Sequence, residues 1–184
     1  MAIRKVARMG HPVLRKVARD VQADEIRSPE FQRLIADMKA TMREYGGIGI
    51  AAPQVHESVQ LALIELPPSA EEPGQNLTVF VNPKIKVLDK EEQGYWEGCL
   101  SVPELRGLVF RPRKVEVSYL DENGKKQTLV VEDFLATVVQ HELDHLQGIL
   151  FVDRIEDMTK LAFLEEYQRY CLPSSDEGIG ELGD

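Results

Sequence analysis

The stretch FLATVVQHELDHLQG, Phe134 to Gly148, sets His-Glu-x-x-His inside a run led by Phe134, Leu135, Val138 and Val139. This predicts a helix over Phe134 to Gln147 whose apolar wall lies in the interior. Only a helix brings His141 and His145, four apart, onto one face with about 6 Å between them at the backbone. Two imidazoles so placed can share one ion. Glu142, roughly a quarter-turn away, can reach a water at that ion without ligating it. The competing interpretation is a core helix with two hydrogen-bonded histidines. The chain has only four histidines and half of them fall in this pentapeptide, which favours the metal interpretation.

Two histidines are half of a site, and three completions compete. Metzincins add a third histidine after a glycine; Gly148 is in place, but position 151 is Phe. Thermolysin-like zinc endopeptidases use a downstream carboxylate, where this chain has Glu165; Glu165 and Glu166 equally read as a solvated helix face. Cys99, in YWEGCLSVP, offers a thiolate, a strong ligand for zinc or ferrous iron. An isolated cysteine is also commonly a small buried hydrophobe. Cys171 has no histidine or carboxylate pattern beside it and reads as structural. The residues alone leave Glu165 and Cys99 both open.

Around the motif, SPEFQRLIADMKATMREYGG (Ser28 to Gly47) predicts a helix capped by Ser28, opened by Pro29 and ended by Gly46-Gly47. Its core stripe runs Phe31, Leu34, Ile35, Met38, Thr41, Met42 and Tyr45. Strands are expected at Val59 to Leu66 and Leu77 to Asp89, with a Pro/Ser/Glu-rich loop between them. Gly107 to Asp133 reads as a hairpin turning at Asn123-Gly124. A last helix is expected from about Asp157 to Tyr170. Strands outnumber helices and do not alternate with them, so the fold class is α+β. At 184 residues this is one domain over 1–170, with an acidic, Gly-containing tail over 171–184 expected to be disordered. A net charge of −9 argues against a broad DNA- or RNA-binding surface. No apolar run is long enough for a membrane span, and the basic N-terminus lacks a signal-peptide apolar segment, so the expectation is cytoplasmic.

Three segments, GIGIAAPQ (Gly47 to Gln54), EGCLS (Glu97 to Ser101) and QHELDH (Gln140 to His145), resemble the three signature motifs of the peptide deformylases, in order and spacing. The likeness runs over roughly residues 3–155. It implies mixed, mainly antiparallel sheets packed around the motif helix, with an N-terminal and a C-terminal helix. It also implies Cys99, His141 and His145 as ligands of one divalent metal with water as the fourth. Fe(II) is the usual physiological metal, and Zn(II), Ni(II) or Co(II) can substitute. Glu142 would be general base and acid, and Gln54 with the Leu100 backbone N–H would form the oxyanion hole. The implied reaction removes the formyl group from N-formyl-Met peptides and nascent chains in the bacterial cytoplasm. For the substrate, Ile48, Gly49 and Val138 are candidates for the slot and its edge, with Gly107 as a second edge. Glu97 and Arg106 are expected to form an ion pair at the mouth. Some relatives dock on the ribosome through a basic C-terminal helix. Glu156, Asp157, Glu165 and Glu166 against Lys160 and Arg169 do not support that contact here.

Overall fold

The structure is a computed structural model that describes residues 1–66 and 75–172. The expected Pro/Ser/Glu-rich loop and acidic tail lie outside these residues, apart from Gln75 and Asn76, which open a strand, and Cys171 and Leu172. The helices are α1 (Ala23–Ile26), α2 (Pro29–Glu44), α3 (Asp133–Leu146) and α4 (Leu164–Glu166). The strands are β1 (Gly49–Ala51), β2 (Leu61–Leu66), β3 (Gln75–Cys99), β4 (Val102–Leu120), β5 (Lys126–Glu132) and β6 (Leu161–Phe163). They form one six-stranded sheet in the order β1-β2-β3-β4-β5, with β6 added to β4. Every pairing between these strands is antiparallel; among the described residues the one parallel feature is an isolated bridge from Arg19 to Val59. The fold is α+β as expected, in one sheet rather than several.

Strand β2 explains why the two long helices lie where they do. Leu61 and Leu63 enter one apolar cluster with Phe31, Leu34, Met38 and Met42 of α2. Ala62 and Ile64 point the other way, into a cluster with Val138, Val139, Leu143 and Leu146 of α3. With side chains alternating across the pleat, a run of Leu-Ala-Leu-Ile is satisfied only when both faces are covered. All four are 0% exposed, and each large one contributes about 1.5–3 kcal/mol by leaving water. The motif helix is thereby held against the centre of the sheet.

Helix α2 forms as its sequence demands. Ser28 Oγ accepts from the Phe31 N–H at 3.2 Å, and Gly46, at φ +70°, supplies the left-handed residue that ends the helix. The stripe through Met42 is buried, but Tyr45 is 46% exposed, because it has already left the helix as its C-cap. The expected hairpin forms between β4 and β5, with Gly124 at φ +77° in its turn.

The C-terminal helix from Asp157 to Tyr170 does not form as one element. Asp157 caps a single 3-10 turn, Met158–Lys160, through Thr159. Leu161–Phe163 then pairs with Leu105, Arg106 and Gly107 of β4, and only α4 and a π-helical turn follow. An open strand edge on β4 outcompetes local helix propensity, since it satisfies backbone donors and acceptors that would otherwise lie bare. Tyr167, buried against Trp96 with ring centroids 4.9 Å apart, pins this segment down. No helix among the described residues is long and apolar enough to cross a membrane.

Candidate active site

Three parts of the sheet-helix assembly converge on one point. Helix α3 delivers His141 and His145, their rings 5.1 Å apart at an angle of 75°. The tight turn between β3 and β4 delivers Cys99, whose Sγ lies 3.3 Å from His145 Nε2. One ligand atom from each of the three falls within 4.8 Å of the others, and this is the one such cluster among the described residues. The donor set, one thiolate and two imidazoles, is borderline-soft and suits zinc or ferrous iron. Glu165, the rival third ligand, is exposed on α4 and outside this cluster.

His141 is oriented by a carboxylate. Its Nδ1 lies 2.7 Å from Glu97 Oε2, which leaves Nε2 as its ligand atom. Glu97 is 1% exposed, and it pairs with Arg111 rather than with the expected Arg106. Arg111 donates Nε and Nη2 to the two Glu97 oxygens at 2.6 and 3.0 Å, and Nη1 to Asp144 Oδ2 at 2.8 Å. Arg154 closes the other side of Asp144 at 2.6 and 2.9 Å. Asp144 is thus a buried structural partner of two arginines. Burial alone would raise the Glu97 carboxyl, but the hydrogen bond to His141 and the pair with Arg111 outweigh it and hold Glu97 at about 2. Burial holds the His145 pKa well below its ordinary value, reinforced by His141, so the imidazole is neutral and able to ligate.

Glu142 lies beside the ligands with Oε2 buried and without a hydrogen-bond partner. Desolvation pushes its carboxyl up to about 7; Glu97 adds to this, while His141 and Arg111 oppose it. A carboxyl near 7 can take and return a proton at neutral pH. Gly49 is the reason there is room for it. A Cβ on Gly49 would stand 2.4 Å from Glu142 Oε1 and 2.8 Å from its Cγ, so the backbone of β1 runs directly over this side chain.

Gln54 lies buried in a 3-10 turn after β1. Its Oε1 accepts from the Ala51 N–H at 2.7 Å, which fixes the amide so that Nε2 turns to Cys99 Sγ at 3.5 Å. These groups open onto a cleft of about 680 Å³. Ile48, Gly49, Gln54, Glu97, Cys99, Leu100, Arg106, Val138, His141 and Glu142 all line it. Gly107 does not. Its backbone is paired with Leu161 of β6, and Phe151 and Ile155 pack where a side chain would be, so it offers no second edge to a peptide. Sequence reasoning missed Arg111 and Thr137. Nothing local marks Arg111 in its strand. Thr137 could have been found, since it lies four residues before His141 on the same helix face.

Comparison with known proteins agrees with this geometry. The family model described as polypeptide deformylase matches residues 3–161. A peptide deformylase of Leptospira biflexa is 39% identical over 173 residues, spanning 90% of this chain and 95% of that one. The Met-Ala-Ser-bound class I type b peptide deformylase of Acinetobacter baumannii superposes with a TM-score of 0.79 at 42% identity, over 83% of this chain and 98% of that one. The Thermotoga maritima peptide deformylase gives a TM-score of 0.77 at 32% identity, over 85% and 100% respectively.

Proposed function

Because the chain belongs to the polypeptide deformylase family, and is thus a metal-dependent hydrolase of N-formyl peptides, we propose the roles its residues take. Cys99, His141 and His145 hold one divalent cation, with Fe(II) as the cellular metal and Zn(II), Ni(II) or Co(II) as substitutes. The observation that carries this reading is the convergence of three protein donors beside a buried carboxylate that is not among them. A structural metal site usually closes with four protein ligands. When bound, the cation supplies the charge that acidifies water toward a pKa of about 7 and polarises the formyl group.

The remaining work falls to the chain. Glu142 takes the proton from the attacking water and returns it to the amine as the formyl C–N bond breaks, giving formate and a free N-terminus. Gln54 Nε2 and the Leu100 N–H donate to the oxygen that gains charge at the formyl carbon. Removing one such donor typically costs about 10²–10³ in rate. The substrate backbone adds alongside β1, which is paired to β2 on one side and has its other edge toward the cleft. The first side chain enters the slot formed by Ile48, Val138 and the His141 ring. Newly made polypeptides beginning with formyl-methionine are the substrates, and the reducing bacterial cytoplasm, which keeps a thiolate ligand intact, is the setting.

The test is formate release from formyl-Met-Ala-Ser by protein loaded without oxygen with Fe(II) or Ni(II), beside Glu142→Ala. Release that the variant lacks by several orders of magnitude, at equal metal content, supports both the reaction and the role of Glu142. No release from protein holding one metal per chain would sink the proposal.

A further inference from the structure

A buried polar atom without a partner is costly in a folded protein and marks a place where something else can bond. Among the described residues there are four such side-chain atoms. Glu142 Oε2 and His145 Nδ1 belong to the site already described. Ser101 Oγ is on a residue that does not line the cleft. The fourth is Thr137 Oγ1, on a residue only 1% exposed that does line it.

Thr137 precedes His141 by about one helical turn and adjoins Val138, so it stands about 6 Å further along the wall that holds His141 and His145. In a helix, a threonine hydroxyl ordinarily returns to the carbonyl four residues back. Here the Asp133 carbonyl receives the Gln93 amide at 2.6 Å instead, and Thr137 Oγ1 makes no such bond. Of the residues that form the slot, Ile48 and Val138 have no polar side-chain atoms and His141 Nδ1 is engaged by Glu97, so the Thr137 hydroxyl is the polar group beside them without a partner.

We propose that Thr137 is a specificity-determining residue whose hydroxyl donates to the sulfur of the substrate's first side chain, so that the slot selects a thioether over a hydrocarbon of the same shape. This rests on the deformylase reading above. Methionine sulfur is a weak acceptor, whereas the CH₂ that replaces it in norleucine accepts nothing and leaves the hydroxyl bare. A net bond of this kind corresponds to about three- to tenfold in kcat/KM.

The experiment compares formyl-Met-Ala-Ser with formyl-norleucyl-Ala-Ser on metal-loaded wild type, Thr137→Val and Thr137→Ser. Product binding by calorimetry, Met-Ala-Ser against norleucyl-Ala-Ser, is read in parallel. Wild type should prefer methionine about three- to tenfold in both readouts. Valine, isosteric but without the hydroxyl, should bring the ratio to about one, and serine should restore it. Equal ratios in wild type, or a preference that survives in Thr137→Val, would overturn the proposal without touching the deformylase reading. Absence of formate from both peptides would count against that reading, while the product-binding ratio still decides Thr137.

Discussion

Replacing Gly49 by alanine separates the role proposed for the Glu142 carboxylate from that proposed for the metal. The backbone of Gly49 lies outside the left-handed region, so alanine meets no conformational strain there, and the whole effect is contact. The added Cβ would lie 2.4 Å from Glu142 Oε1, 2.7 Å from Cδ and 2.8 Å from Cγ, where ordinary contact begins at 3.4 Å. Glu142 must therefore retreat by about 1 Å from a position where it is 5% exposed. Overpacking of this kind costs about 1–3 kcal/mol of stability. A reacting group misplaced by about 1 Å costs on the order of 10² in rate. We expect kcat/KM for formyl-Met-Ala-Ser to fall about 100-fold, with metal content unchanged because Cys99, His141 and His145 are not displaced. Gly47→Ala, whose Cβ meets the flexible Leu100 Cδ1 at 3.1 Å, should lose far less. An active Gly49→Ala enzyme, or one that loses its metal in step with its activity, would refute the reasoning.

Removing the metal with a chelator should lower Tm, since the cation binds only the folded arrangement of its three donors. At a free metal concentration of about 100 Kd the loss is about 2.7 kcal/mol, or about 5–10 °C by calorimetry, and Cys99→Ser should shrink the gap. Arg111→Met leaves Glu97 and Asp144 with a vacant side in the interior. Urea unfolding should show a loss of about 3–5 kcal/mol, and a loss under 1 kcal/mol would mean that the two carboxylates find other partners. The acid limb of stability should carry the signature of Glu97. Its folded value, about 2, lies below its ordinary value of 4.5, so its contribution is complete above about 4.5 and disappears as pH falls toward 2. Acid titration of unfolding in Glu97→Gln should lack that limb, and an unchanged profile would assign the acid sensitivity elsewhere.

The parts of the site that were legible in the sequence are those where chemistry and local geometry coincide. His141, Glu142 and His145 are fixed relative to one another by a helix, so four-residue spacing was enough. Cys99 sits on another element, and its distance from the helix is set by the register of β3 on β4, with shifts after Val87, Asp89 and Glu97. No spacing rule could supply that, and only the resemblance of whole motifs singled it out. Arg111 was invisible for the same reason: opposite charges far apart in sequence say nothing about which pairs are buried. The C-terminal segment misled because Asp157 to Tyr170 has a plausible helical pattern, while the unfilled edge at Leu105–Gly107 that captures it is a property of the assembled sheet.

The two-sided burial of β2 also governs when the site can exist. The strand precedes both long strands in the chain, and its second cover, α3, follows them. Until α3 has docked, Ala62 and Ile64 remain without that cover, and Cys99 and Gln54 have no histidines to face. A chain truncated before Asp133 would hold every feature of the first two motifs and still bind no metal through this set. Docking of α3 is a long-range closure of the fold and also the step that brings the three donors together, so recovery of activity on refolding should not run ahead of the global transition.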